Sequence, residues 1–271
     1  VTVLLVIDIG NTNTSFGVVD LARRALVEHV RTESARSRTS DEYAVLVRGM
    51  LELKGIEPRR ISHAIVASVV PALTDRITRA VQTAFGVDCL VVGPGIKTQM
   101  PILYEDPREV GADRIVNAVA AFEWVATLPR ATGAAPGVIV VDFGTATTFD
   151  CVTPKGEYLG GVITPGIEIS AEALFARAAR LRRVELAAPP KVVGRNAQTS
   201  MQSGIVYGYA GLVDGLVARL RRELGYPCHV VATGGLAKLI APFTESIEEV
   251  DDALTLTGLL LLWERNAPPS A

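Results

Sequence analysis

Two stretches of the chain place an aspartate, a glycine two residues later and a run of small polar side chains directly behind an apolar segment. The first is Asp8-Ile9-Gly10-Asn11-Thr12-Asn13-Thr14-Ser15, behind Val3 to Ile7. The second is Asp142-Phe143-Gly144-Thr145-Ala146-Thr147-Thr148, behind Val138 to Val141. Glycine lets the main chain bend sharply and lets a ligand approach it closely. The residues that follow expose N–H groups and add amide and hydroxyl donors, a combination suited to cradling phosphate. A carboxylate at the strand end, Asp8, suits hydrated Mg²⁺, which keeps several waters and takes only one or two carboxylates. An ordinary polar hairpin, with Asn and Thr satisfying their own backbone, is the alternative. Recurrence of the pattern behind a second buried-looking strand favours phosphate.

Between the two copies lies Gly111-Ala112-Asp113-Arg114, at the start of a helical pattern. Unsatisfied N–H groups at a helix N-terminus would keep Asp113 ionised and able to accept a proton. The planar fork of Arg114 matches a substrate carboxylate. A capping carboxylate beside a surface arginine fits the same spacing. Tyr104 is either a pocket wall or a loop aromatic, and these residues alone do not decide. Thr233-Gly234-Gly235 would let a flat base or ribose lie against the backbone, or is a tight strand-to-helix turn.

Other features carry less chemistry. No GxxxxGK[ST] and no GxGxxG follows a strand, and in Gly93 to Thr98 the lysine spacing is wrong and Pro94 removes a donor, so a turn is expected there. His29, His63 and His229 stand singly, without metal-ligand spacing. Cys89, Cys151 and Cys228 read as buried reduced thiols of a cytosolic protein. Arg177, Arg180, Arg182 and Arg183 read as a solvated helix face. Gly204, Gly208, Gly211 and Gly215 recur at helical spacing and would admit a close helix, from this chain or from a second subunit.

Elements that must position these residues alternate along the chain. Apolar, β-branched runs at 3–8, 64–70, 89–92, 138–142 and 228–232 read as strands buried on both faces. Thr39 and Glu42 form a capping box opening a helix that Gly55 stops. Leu73 to Phe85 carries a second helix, and Asp106-Pro107 reads as the N-cap and first turn of a third, leading to Ile115, Val119, Phe122 and Val125. Helices also fit 168–183, 198–225 and 253–265. The alternation predicts an α/β protein. Residues 127–137, rich in Gly, Pro and Ala, read as a linker, so the expected domains are 1–126 and 138–271 with a ligand cleft between them.

Totals bound the reading further. The 271 residues suffice for one large or two ordinary domains, and 49% apolar with 21% charged residues reads as globular. A formal charge of −2 gives no electrostatic case for nucleic acid or an anionic membrane. The most apolar stretch, Leu254 to Trp263, is far short of the ~20 residues a membrane span needs and is expected to be a buried helix. With no leader-like segment ahead of the first strand, the expectation is a cytoplasmic protein.

Taken together, DIGNTNTSFG, DPREVGADRIVNA, VVDFGTATTFD, GGVITPGIEIS, MQSGIVYGYAGLVDG and VVATGGLA resemble type III pantothenate kinase, in order, from about residue 3 to residue 262. The resemblance implies the actin and sugar-kinase superfamily, with duplicated ribonuclease-H-like domains around an interdomain nucleotide cleft. It implies transfer of the γ-phosphoryl of ATP to pantothenate in the first step of coenzyme A synthesis. Mg²⁺, a monovalent cation (K⁺ or NH₄⁺) and a homodimer are implied as well. Position by position, Asp8, Ile9, Gly10, Asn11, Thr12, Asn13, Thr14 and Ser15 match the first ATP phosphate segment. Tyr104, Gly111, Ala112, Asp113 and Arg114 match pantothenate contacts, with Asp113 on the proton acceptor. Asp142 falls on the monovalent-cation ligand and Thr145 on a further ATP contact.

Two positions depart from the family pattern. Asn196-Ala197 stands where the family usually has Asn-Thr, so a hydroxyl contact to pantothenate is lost at Ala197 unless Thr199 or a water replaces it. Leu181 to Leu186 lacks the family's usual proline. A phosphatase of the same fold and a non-catalytic, nucleotide-binding accessory protein are the rival readings. Intact Asp8, Asp113 and Asp142 favour the kinase.

Overall fold

Strands covered on both faces must be apolar at nearly every position, and the apolar runs of this chain lie at the centres of two sheets. The computed structural model describes residues 2–129, 135–178 and 182–267. In the first sheet β1 (Val3–Ile9), β2 (Asn13–Asp20) and β3 (Ala25–Glu33) form an antiparallel meander. β4 (Ile61–Ser68) and β5 (Cys89–Val91) run parallel to β1 on its other side, in the order β3-β2-β1-β4-β5. The second sheet repeats the plan. β6 (Gly137–Phe143), β7 (Ala146–Val152) and β8 (Tyr158–Pro165) form its meander, with β9 (Cys228–Thr233) and β10 (Glu249–Val250) in parallel. The duplicated α/β architecture expected from the sequence is present.

Contacts group the described residues up to Ala120 with those from Ala253 onward, and Ala121–Asp252 separately. The break between these groups falls after Ala120, within the helix 112–127 and not at the linker expected over 127–137, and the last helix groups with the first sheet; residues 130–134 lie outside the described residues.

In the first unit α1 (Ser40–Leu53) and α2 (Pro71–Phe85) cover one face of the sheet. Leu5, Ile7 and Ile9 pack there with Tyr43, Val47, Leu51, Leu73 and Ile77. The capping box forms as expected, Glu42 N donating to Thr39 Oγ1 at 3.2 Å and Thr39 N to Glu42 Oε2 at 2.7 Å. α7 (Leu254–Asn266) lies against α3 (Ala112–Thr127). A side chain at Gly258 would collide with the Val116 carbonyl, and Thr255 Oγ1 donates to Asn117 Oδ1 at 2.7 Å. Each apolar side chain fully buried this way contributes about 1.5–3 kcal/mol before the entropy cost.

In the second unit α4 (Ile167–Arg177) and α5 (Ala197–Leu224) cover the sheet, Ile139, Val141 and Phe143 packing with Ile205, Val206, Ala210 and Val213. A four-residue helix, α6 (Ala237–Ile240), follows the Thr233-Gly234-Gly235 turn. The helix expected over 168–183 stops at Arg177; Arg182 and Arg183 lie beyond it, and Arg180 falls outside the described residues. Asp106 caps only a single turn at 107–109, accepting from Arg108 N at 3.0 Å, and the long helix starts afresh at Ala112. The chain straightens between them at Val110, whose side chain is buried.

Candidate active site

The first Asp-bearing turn is the tip of the β1–β2 hairpin. Ile9 pairs with Thr14 and Asp8 with Ser15, leaving Gly10, Asn11 and Thr12 as the connection. Gly10 N donates to Asn13 O at 3.0 Å. Gly10 does not take a positive φ; a Cβ there would lie 3.0 Å from Asn13 O, so close approach is what its hydrogen side chain permits. Asn11, Thr12 and Asn13 are exposed and Asp8 is half-buried, whereas Ile9 and Thr14 are fully buried. The Thr14 hydroxyl lies 2.9 Å from Ser34 Oγ, which donates to Gly10 O at 2.6 Å. Thr14 therefore faces the interior of the hairpin, and the surface open to a ligand is Asn11 to Asn13.

Asp113 reaches the same end of that sheet. β1 and β4 are parallel and both end there, Val69 N donating to Ile9 O at 3.1 Å. Gly111 packs on Val69, with its Cβ position 3.4 Å from Val69 Cγ1 and 2.6 Å from Asp113 Oδ1. Ala112 begins α3, and Asp113 Oδ1 accepts from Arg114 N at 2.7 Å. The strand ends thus gather Asp8, the hairpin tip and the Gly111–Arg114 segment, as carboxyl ends of parallel strands commonly gather ligand-binding groups.

The electrostatics of Asp113 differ from the sequence expectation. Burial pushes its carboxyl above the usual range, and the amide and guanidinium of Arg114 pull it back only in part. Helix-end N–H groups do not dominate here; desolvation does. The carboxylate is consequently more basic than an exposed one. Arg114 is 8% exposed, which rules out a surface arginine. Tyr104 is half-buried in the connection between β5 and α3.

The second turn is tighter. Phe143 pairs with Thr147 and Asp142 with Thr148, leaving Gly144 and Thr145, both exposed, at the tip. Asp142 pairs across β9 with Thr233, and Gly234, at φ 94°, puts its Cβ position 2.5 Å from Asp142 Oδ1. Only a residue without a side chain leaves that carboxylate room. Asp142, the Gly144-Thr145 tip and the Gly234-Gly235 turn therefore share one end of the second sheet.

Ala197 is the first residue of α5 and is exposed. The Thr199 hydroxyl, two residues on, is engaged in the cap of α5. Thr199 Oγ1 accepts from Arg195 N at 3.2 Å and donates to Asn196 Oδ1 at 3.0 Å, while Asn196 Oδ1 accepts from Thr199 N at 2.8 Å. That hydroxyl is half of a capping box. Two further residues escape sequence reasoning, Ser34 behind the first tip and Gly166 behind the second. Ser34 belongs to no motif, Gly166 lies within GGVITPGIEIS without a role of its own read there, and their partners are 20 or more residues away. Cys89 and Cys228 are poor nucleophiles, since burial pushes the Cys89 thiol up to about 12 and raises that of Cys228 as well.

Comparison with known proteins bears on this arrangement. Residues 4–219 match the family model of type III pantothenate kinase. The type III pantothenate kinase of Myxococcus xanthus is 54% identical over 97% of this chain and 98% of its own. That of Geobacter sulfurreducens is 52% identical over 97% and 99%. Among solved structures, a 2-dehydro-3-deoxygalactonokinase from Sinorhizobium meliloti superposes with a TM-score of 0.58 at 13% identity, covering 98% and 99% of the two chains. A protein from Campylobacter jejuni described as a Baf family transcriptional activator superposes with a TM-score of 0.56 at 18% identity, over 97% and 98%. These last two likenesses concern the fold alone.

Proposed function

The chain belongs to the type III pantothenate kinase family, and on that premise we propose how its residues perform the reaction. It is an ATP-dependent kinase that converts pantothenate to 4′-phosphopantothenate in coenzyme A biosynthesis. Asp113 is the proton acceptor. Its carboxylate takes the proton of the primary hydroxyl of pantothenate as that oxygen attacks the γ-phosphorus in line. The bond from the γ-phosphorus to the bridging oxygen breaks, and ADP leaves. The observation that carries this assignment is the basic, buried carboxylate of Asp113 at the sheet end that also holds the Asp8 turn.

Phosphoryl transfer depends on positioning and charge neutralisation more than on covalent chemistry. The exposed Asn11–Asn13 tip holds ATP phosphates, and Thr145, at the tip of the second turn, is a further ATP contact. Arg114 pairs with the pantothenate carboxylate, with Tyr104 and Gly111-Ala112 lining the same substrate. The residues present fit Mg²⁺ as part of the nucleotide complex: Asp8 is one half-buried carboxylate, and among the described residues no three His, Cys, Asp or Glu side chains gather to cage a metal. Asp142, kept accessible by Gly234, fits a monovalent cation such as K⁺ or NH₄⁺. Bound cations supply positive charge against the phosphates.

The chain works as a cytoplasmic homodimer in this reading. The Gly204, Gly208 and Gly211 face of α5 is exposed, and no atom lies within 4 Å of a Cβ built on any of the three. No helix among the described residues is long and apolar enough to cross a membrane.

ADP release from MgATP tests the reaction. Release that requires pantothenate, is stimulated by K⁺ over Na⁺ and loses that stimulation in Asp142→Ala is expected. Release independent of pantothenate would contradict the kinase.

A further inference from the structure

We propose that Ser34 is the positioning residue of the first phosphate turn, bracing its tip from beneath so that Asn11 to Asn13 meet ATP already in shape. The inference rests on the assignment of that turn to ATP. Ser34 lies one residue beyond β3, is 8% exposed and touches three residues of the tip. Its hydroxyl donates to Gly10 O at 2.6 Å and lies 2.9 Å from Thr14 Oγ1, and its amide donates to Thr12 O at 2.9 Å. Ser34 is itself held in place. Fully buried Tyr43 donates its hydroxyl to Ala35 O at 3.1 Å, and Arg76 of α2 donates to the carbonyls of Arg36 and Arg38. α1 and α2 are thereby tied to the hairpin tip through the hydroxyl and the amide of Ser34.

The second sheet supplies an independent observation. Thr14 pairs with Thr32, and Ser34 stands two residues further on; Thr147 pairs with Thr164, and Gly166 stands two residues further on. A side chain at Gly166 would collide with the Thr145 carbonyl and lie 2.7 Å from Gly144 O. The residue at this place leans on the tip in both sheets, through a hydroxyl in one and through bare backbone in the other. The brace recurs with the Asp-Gly turn although the chain on either side of it differs. An exposed tip held in its binding shape loses less entropy when a ligand arrives, and the gain appears in affinity for that ligand.

The test compares Ser34→Ala, Ser34→Thr and Asn11→Ala in the intact enzyme, by KM for MgATP, KM for pantothenate and thermal unfolding. Ser34→Ala should raise the KM for MgATP about tenfold, the equivalent of one good hydrogen bond, with pantothenate KM changed less than about twofold. Ser34→Thr, which keeps the hydroxyl, should restore most of the loss. An unchanged MgATP KM in Ser34→Ala, with Asn11→Ala impaired, would overturn the positioning role. Equal rises for both substrates with a lowered melting temperature would overturn it too, by marking a general packing role. An unimpaired Asn11→Ala would instead remove the ATP assignment on which the proposal stands.

Discussion

Thr14 and Thr147 occupy the same register position in the two sheets, opposite Ile9 and Phe143, and both are fully buried. Their hydroxyls fare differently. Thr14 Oγ1 meets Ser34 Oγ at 2.9 Å, while Thr147 Oγ1 has no hydrogen-bond partner among the described residues. The residue that would supply a partner in the second sheet is Gly166, which has no hydroxyl to offer.

Valine substitution separates the two threonines. A buried hydroxyl without a partner costs about 1–3 kcal/mol, so Thr147→Val should leave stability unchanged or raise it by up to about 1 kcal/mol. Thr14→Val removes a bonded hydroxyl and leaves Ser34 Oγ bonded to Gly10 O alone, so it should destabilise by about 0.5–1.5 kcal/mol. Urea unfolding midpoints check both, and equal losses would contradict the asymmetry.

Gly166→Ala tests the second brace. Backbone at φ −71° is open to any residue, so the restriction is steric and not conformational. Displacing the Gly144-Thr145 tip should cost about 1–3 kcal/mol and weaken MgATP use. Gly49→Ala in α1, where no atom outside the helix's own backbone lies within 4 Å of the Cβ position, should by contrast stabilise the folded chain by about 0.5–1 kcal/mol.

Much of this was legible in the sequence, and what was not has a physical cause. Both Asp-Gly turns, the capping box at Thr39 and the central strands follow from apolar runs and small-residue clusters. The strands β2, β3, β7 and β8 were not foreseen. β3 and β8 are edge strands of mixed exposure, with Leu26, Val27 and Ile163 left exposed, and β2 and β7, though largely buried, mix Asn, Thr, Ser, Gly and Asp with their apolar residues, so no continuous apolar run marks any of the four. Gly93 to Thr98 reads as a turn, and there the Lys97 backbone is hydrogen-bonded to Asn266. Ser34 and Gly166 could not be read, because each acts through a tertiary contact that no local pattern encodes. The raised proton affinity of Asp113 was likewise hidden, since helix position is local and burial is not.

Asp113 carries a linkage of definite sign. Burial raises its folded-state pKa. The associated stabilisation is fully present below the unfolded pKa and is lost as pH rises through the folded one. At neutral pH the ionised carboxylate is therefore a cost. Asp113→Asn should melt higher than the parent at pH 7 to 8, and the gap should shrink as pH falls into the carboxylate range. A mutant that melts lower at neutral pH would contradict the burial argument.

Ala197 offers a gain-of-function test. The Thr199 hydroxyl is already engaged in the cap of α5. Ala197→Thr should lower the KM for pantothenate several-fold, about one modest hydrogen bond, and leave that for MgATP unchanged. No change in the pantothenate KM would remove Ala197 from the substrate site.

The most direct test of the central claim is single-turnover phosphoryl transfer by Asp113→Asn, measured beside equilibrium ATP binding. General-base loss predicts a rate lower by about 10²–10⁴-fold. ATP affinity should stay within about twofold of the parent, because the proposed mechanism gives the nucleotide to the hairpin tip and not to Asp113. A near-parental rate with ATP bound would contradict the assignment of Asp113 as the proton acceptor.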